Sequence, residues 1–203
     1  MSDLLDVGFF LSPGSYLNTM NDGSVGGISG LGGVPGRWGA VKYFTDAEAA
    51  KLTDTVTSAA LRQGWFMIVQ TAAVSTTAPA RGGLCRFSTF GLSGYIVTPD
   101  FAATDEGKPV GVYCSTPTKG NYCVVQIGGL ARPKYRSTIT SKVDGNLAIQ
   151  LTTTNTLDAI ADATGTYISG GTKGIKNIFG TVEGTPTDDA VNLTWMMNKY
   201  GLF

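Results

Sequence analysis

Val110 to Tyr135 reads VGVYCSTPTKGNYCVVQIGGLARPKY, and this stretch decides the fold. Two arms rich in Val, Tyr and Ile flank Pro117-Thr118-Lys119-Gly120, the composition of a β-hairpin. Pairing Cys114 with Cys123 sets Val112 against Val125 and Val110 against Ile127, so one face is wholly apolar. A slip by one residue would place Gln126 opposite Val112, so the Cys114–Cys123 register is expected. Pro117 suits the first turn position because its φ is preset, and Gly120 the last because it tolerates positive φ. Gly128-Gly129 then predicts a bulge or a close backbone approach in the second arm.

Outward from the hairpin, short strand-like runs recur between Thr, Ser, Gly and Pro. Before it stand WFMIVQTAAV, LCRFSTF and GYIVT; after it come Tyr135–Thr140, Gly145–Thr152, Thr166–Ile168, Asn177–Val182 and Ala190–Met197. In the last run Val191, Leu193, Trp195 and Met197 share a face at period two. Asn155–Ala163 reads as a short helix or an irregular crossover. Thr45-Asp46-Ala47-Glu48 matches a capping box and Gly64 stands where a C-cap would, which predicts one amphipathic helix over about 46–62. The expectation is a mainly β body, residues 41–203, built as a barrel or as a sandwich or tulip.

Residues 1–40 read differently. Glycines punctuate Asn21–Gly39 too densely for regular structure, while Phe9, Phe10, Tyr16 and Trp38 are apolar anchors that a disordered tail rarely carries. An extended arm that docks on a neighbouring subunit is expected, with these four aromatics as its pegs.

Composition narrows the function. The chain holds 15 basic and 15 acidic residues in 203, a balance suited to neither a phosphate backbone nor an anionic membrane. No nucleic-acid or membrane partner is expected. The apolar run near the N-terminus is short and carries Asp3 and Asp6, so no export signal is read there. Histidine is absent, which removes Ser-His-Asp and Cys-His nucleophile systems and His-containing metal sites. Cys85, Cys114 and Cys123 are expected as buried free thiols, a cross-strand Cys114–Cys123 bridge being the alternative.

Motifs that touch on chemistry fall short. Gly165–Thr172 resembles a phosphate-binding loop, but Gly171 occupies the position of its lysine. Asp105-Glu106 and Asp188-Asp189 are adjacent carboxylates in turn contexts, unlike two acids facing across a cleft. No calcium loop is present in the sequence. Arg132, Lys134 and Arg136 form a basic cluster that suits a salt-bridged face or an acidic partner surface. Asn192-Leu193-Thr194 fits a glycosylation sequon by chance. No catalytic residue, cofactor, metal or small-molecule substrate is expected, and the chain does not read as an enzyme.

The middle segment GVYCSTPTKGNYCVVQIGGLARPKY, followed by VDGNLAIQL, NIFGTVEG and a final apolar strand, resembles small virion proteins of tailed bacteriophages. The nearest class is the capsid decoration, or cement, proteins. That resemblance implies a compact β-barrel or β-tulip body, often with an N-terminal arm, bound as a homotrimer to the major capsid protein or other virion subunits. It also implies a place on the capsid surface after synthesis in the host cytoplasm. The competing expectation is a carbohydrate- or receptor-binding β module of a phage tail or fibre, which exposed Trp or Tyr platforms would support.

Overall fold

A computed structural model describes Gly39 and residues 41–51, 60–89, 95–102, 109–150, 154–161 and 178–197. The arm with Phe9, Phe10, Tyr16 and Trp38, the run Thr166–Ile168, the Gly165–Thr172 motif and Asp105-Glu106 lie outside the described residues.

The strands are β1 (Val41–Phe44), β2 (Gly64–Thr71), β3 (Leu84–Thr89), β4 (Ile96–Thr98), β5 (Gly111–Tyr113), β6 (Tyr122–Ala131), β7 (Leu147–Gln150), β8 (Leu157–Ile160), β9 (Ile178–Val182) and β10 (Thr194–Met196). One helix, α1 (Asp46–Lys51), follows β1. Its capping box forms as expected, since the Glu48 carboxylate accepts hydrogen bonds from the Thr45 N–H at 2.9 Å and hydroxyl at 2.8 Å. The predicted extent to residue 62 is too long. Residues 52–59 lie outside the described set, and Ala60–Gln63 run as non-helical chain into β2. Gly64 is therefore no helix cap. It opens β2, where a Cβ would sit 2.1 Å from the Gly128 carbonyl oxygen.

The architecture is a barrel rather than a sandwich. Strand order β2-β4-β3-β5-β6 closes on itself because β6 also pairs with β2, giving a closed five-stranded ring. Its interior holds Met67, Val69, Cys85, Val97, Val110, Tyr113, Cys123, Val125 and Ile127. From the far half of β6 the sheet runs on through β10, β9, β7 and β8. It returns to the chain just past β6 through a parallel bridge between Tyr135 and Leu157. The Leu157 N–H donates to the Lys134 carbonyl at 3.0 Å and the Arg136 N–H to the Leu157 carbonyl at 2.9 Å. This second circuit encloses Ala131, Tyr135, Ala148, Leu157, Ala159 and Val182, against which Leu84 and Val112 of the first ring also pack. β6 thus serves two cores in succession.

Three expectations are overturned here. Val112 pairs with Gln126 and Tyr113 with Val125, the one-residue slip from the Cys114–Cys123 register. Alternation gave no protection, because Gly111, Val112 and Tyr113 are all buried: Tyr113 faces the first core while Val112 faces the second. Gln126 is satisfied despite full burial, since its amide nitrogen lies 3.1–3.4 Å from the carbonyls of Arg62, Gln63, Gly128 and Leu130. Asn155–Ala163 contains a strand, β8, rather than a helix or crossover; its four residues are all buried, which erases the period-two signal. Tyr135–Thr140 makes only the bridges at its start.

Other expectations hold. Gly120 takes φ +84° in the hairpin loop, and a bulge lies at Ile127, between the pairs Phe66–Gln126 and Trp65–Gly128. Gly129 sits at φ +86°, where a Cβ would meet the Gly64 Cα at 2.5 Å and the Gln63 oxygen at 2.6 Å. Gly145 has a similar φ of +79° with nothing within 4 Å of a Cβ. Gly145→Ala should therefore cost about 1 kcal/mol from backbone strain alone, and Gly129→Ala at least about 3 kcal/mol, with overpacking added. Urea denaturation of the two variants tests this; equal losses would contradict the close approach.

Candidate functional site

Directly paired residues in a sheet share a face, as do residues two apart on one strand. Trp195 lies between Leu130 of β6 and Thr181 of β9, while its neighbours Thr194 and Met196 point into the second ring. Tyr43 pairs with Trp65 and meets its ring edge-on at 5.4 Å. The Tyr43 hydroxyl reaches the Gln63 side chain at 3.4 Å, and the Leu130 N–H donates to the Gln63 carbonyl at 2.9 Å. Tyr43, Trp65, Leu130 and Trp195 therefore stand on one face of the sheet, from β1 over β2 and β6 to β10. Trp65 packs against the first core and Leu130 is buried, so that the exposed side chains lie at the two ends of this face.

The alternation predicted for Val191–Met197 is real, but the apolar side turns outward. Tyr43 is 41 % exposed, Trp195 42 % and Met197 48 %, while Asn192 and Thr194 are buried. The reason lies inside the second ring. The buried Tyr135 hydroxyl sits 2.8 Å from the Thr194 hydroxyl, so a polar partner is required there. Glycine at 180 also admits the β10 backbone closely, a Cβ there falling 1.9 Å from the Trp195 oxygen. On the outer side the Trp195 indole N–H donates to the Glu183 carboxylate at 2.9 Å, which fixes the ring's orientation.

Polar groups border this surface. Arg62 binds Asp46 through two hydrogen bonds of 2.9 and 3.0 Å, and Glu183 lies close enough to favour the Arg62 charge further. Arg132 donates to the Ala60 carbonyl at 3.0 Å. Its partial burial, with the charges of Arg62 and Arg81 nearby, lowers its pKa.

The remainder of the predicted basic cluster is ion-paired. Lys134 lies 2.9 Å from Asp189, and Arg136 lies 3.2 Å from the buried Asp158, whose oxygens also accept from the Thr140 N–H and hydroxyl. Asp188 takes Lys142 and the Ile139 N–H, so the two adjacent aspartates bind different partners. The Asn192 amide donates to the Thr187 and Ala190 carbonyls, which occupies the sequon.

Cys85, Cys114 and Cys123 are free and buried around the first barrel, near one another and near Tyr113. Burial pushes the Cys114 thiol up to about 12 and the other two above their ordinary value. These sulfurs are poor nucleophiles in the folded state. Native protein should accordingly show no reaction with Ellman's reagent on the timescale that unfolded protein releases three equivalents of thiolate. Fast native labelling would contradict the burial.

The sequence signal for the exposed surface was the period-two stripe of β10, but only the enclosed partners reveal which side faces solvent. The contributions of Tyr43, Gln63 and Glu183 carried no local signature. No protein-family model matches the chain, and comparison with curated proteins finds no match.

The Arg62–Asp46 contact makes a pH prediction. The side-chain hydrogen bond from Arg62 and the Gln63 backbone N–H lower the Asp46 pKa from 3.8 to about 2. A lowered folded-state pKa contributes stability above the unfolded value that is lost as pH falls through the folded one. Asp46→Asn should thus be less stable than the parent by a constant margin above pH 4, and that margin should close between about pH 4 and pH 2. Thermal melts across this range read it directly; a margin unchanged at pH 2 would refute the assignment.

Proposed function

We propose that the chain is a structural protein of a bacteriophage virion, one that decorates and cements the capsid. It binds shell subunits through residues 1–40 and associates with itself as a trimer. Its action is adhesive rather than catalytic. The observation that carries this reading is the placing of Tyr43, Trp195 and Met197, three of the five exposed large apolar residues among those described, on one face of the sheet. Aromatic and Met side chains are enriched at interface cores, and a few such anchors supply most binding energy. The likeness of the hairpin and glycine pattern to phage decoration proteins supports the same reading. An obligate trimer contact would bury more than about 2,000 Å².

A second reading, a carbohydrate- or receptor-binding module of a tail or fibre, is favoured by the fixed Trp195 ring with Glu183 beside it. Co-sedimentation with capsids separates the two. The full chain is expected to pellet with shells, deletion of residues 1–40 to abolish this, and Trp195→Asp to weaken it by about 30-fold, the worth of a 2 kcal/mol hot spot. Native mass measurement should show three chains. Saccharide binding on a glycan array, without capsid binding, would replace the first reading with the second.

A further inference from the structure

The pairing of β6 with β10 continues past the ends of both strands. Trp195 pairs with Leu130 and Thr194 with Ala131, and the bridge between Lys134 and Val191 keeps the same register. Arg132 therefore stands opposite Leu193. On the other flank the Glu183 N–H donates to the Leu193 carbonyl at 2.9 Å, next to the pair Thr194–Val182, so Glu183 stands opposite Leu193 as well. Directly opposed residues share a face, and Leu193 shares its face with Trp195 two residues on. Arg132, Leu193 and Glu183 thus form a row across three strands, with Trp195 as the diagonal neighbour of both charges.

The two ends of this row differ. Glu183 is engaged, since its carboxylate accepts from the Trp195 indole N–H at 2.9 Å and lies near the Arg62 charge. Arg132 is half-buried, and its side chain makes one hydrogen bond among the described residues, from Nε to the Ala60 carbonyl at 3.0 Å. That bond anchors the guanidinium and leaves its two terminal nitrogens as donors. The charges that reach it are those of Arg62 and Arg81, both of its own sign. Around it Arg62 is bound to Asp46, Lys134 to Asp189 and Arg136 to Asp158. An anchored guanidinium beside two like charges favours an anion. A carboxylate balances one planar fork, whereas a phosphate would carry its second charge toward Glu183.

We propose that Arg132 receives a carboxylate of a partner polypeptide, an Asp or Glu side chain whose apolar neighbour packs on Leu193 and Trp195. This rests on reading the outer side of β10 as the adhesive one, and it names the chemistry of what binds there. In an extended partner segment the two side chains stand two residues apart, roughly 7 Å, and point to the same face.

Nuclear magnetic resonance of the full-length chain with ¹⁵N-labelled arginine and tryptophan tests it. The Arg132 Nε–H signal is the one missing from Arg132→Lys, and the Trp195 indole signal the one missing from Trp195→Phe. Titration with the capped peptide acetyl-Glu-Gly-Leu-amide at constant ionic strength should shift both signals together, to saturation. Acetyl-Gln-Gly-Leu-amide should bind about tenfold more weakly, the worth of one charge-assisted hydrogen-bonded contact. Arg132→Lys keeps the charge but loses the fork, and should weaken the acidic peptide as read at Trp195. Equal affinity for the two peptides, no saturation with the acidic one, undiminished affinity in Arg132→Lys, or shifts at Arg62 or Arg81 with Arg132 unmoved would overturn the proposal. Tighter binding of inorganic phosphate than of the acidic peptide would overturn it too, by making phosphate the preferred anion. If Arg132→Lys fails to fold, the comparison of the two peptides at the Trp195 signal of the unaltered chain still decides. Capsid co-sedimentation is read separately, so the carboxylate site and the adhesive reading can fail one without the other.

Discussion

Every part of the described structure depends on the close approach of two backbones at Gly64 and Gly129. Gly129 takes a positive φ and lies against Gln63 and Gly64, while Gly64 lies against the Gly128 oxygen. No side chain fits at either position. The contact lets β2 close the first ring on β6 and, with the Ile127 bulge, lets β6 leave that ring and enter the second. Cys123, Val125 and Ile127 fill the first core, and Ala131 and Tyr135 the second. Removing sheet edges by closure is a general solution for β proteins, and here the ten-residue β6 both completes the closed five-stranded ring and starts the second circuit.

Gln126 stabilises the same junction from the other side. Its amide gathers carbonyls from Arg62 and Gln63 as well as from β6 itself, joining the chain that precedes β2 to the shared strand. The buried amide is tolerated because its two N–H donors have carbonyl acceptors within reach, where a buried donor left unsatisfied would cost about 1–3 kcal/mol. The residue that makes the hairpin look mispaired is the one that ties the junction together.

This explains which features the sequence disclosed. Turn chemistry was legible: the Thr45–Glu48 capping box, Gly120 at positive φ and the bulge near Gly128 are local demands that local residues meet. Register and face were not. They depend on what stands on the far side of each strand, and in β5 and β8 both sides are buried, so alternation loses its meaning. The apolar stripe of β10 was visible at period two, yet its direction was set by a distant requirement. Tyr135, far earlier in the chain, places a hydroxyl inside the second ring, and Thr194 answers it.

The same requirement creates the exposed surface. Strand alternation couples the two faces of β10 rigidly, so turning Thr194 toward Tyr135 turns Trp195 and Met197 toward solvent. Two exposed apolar side chains on a closing strand are a liability unless something covers them. Glu183 limits the cost at Trp195 by accepting a hydrogen bond from its indole N–H, which satisfies the polar tip and leaves the ring available. Met197 has no such polar tip, and its flexible thioether can adapt to whatever packs on it. The surface therefore combines one oriented ring with one adaptable side chain. That pairing suits an apolar polypeptide segment, which can use both, better than a single rigid sugar ring, which would use chiefly Trp195.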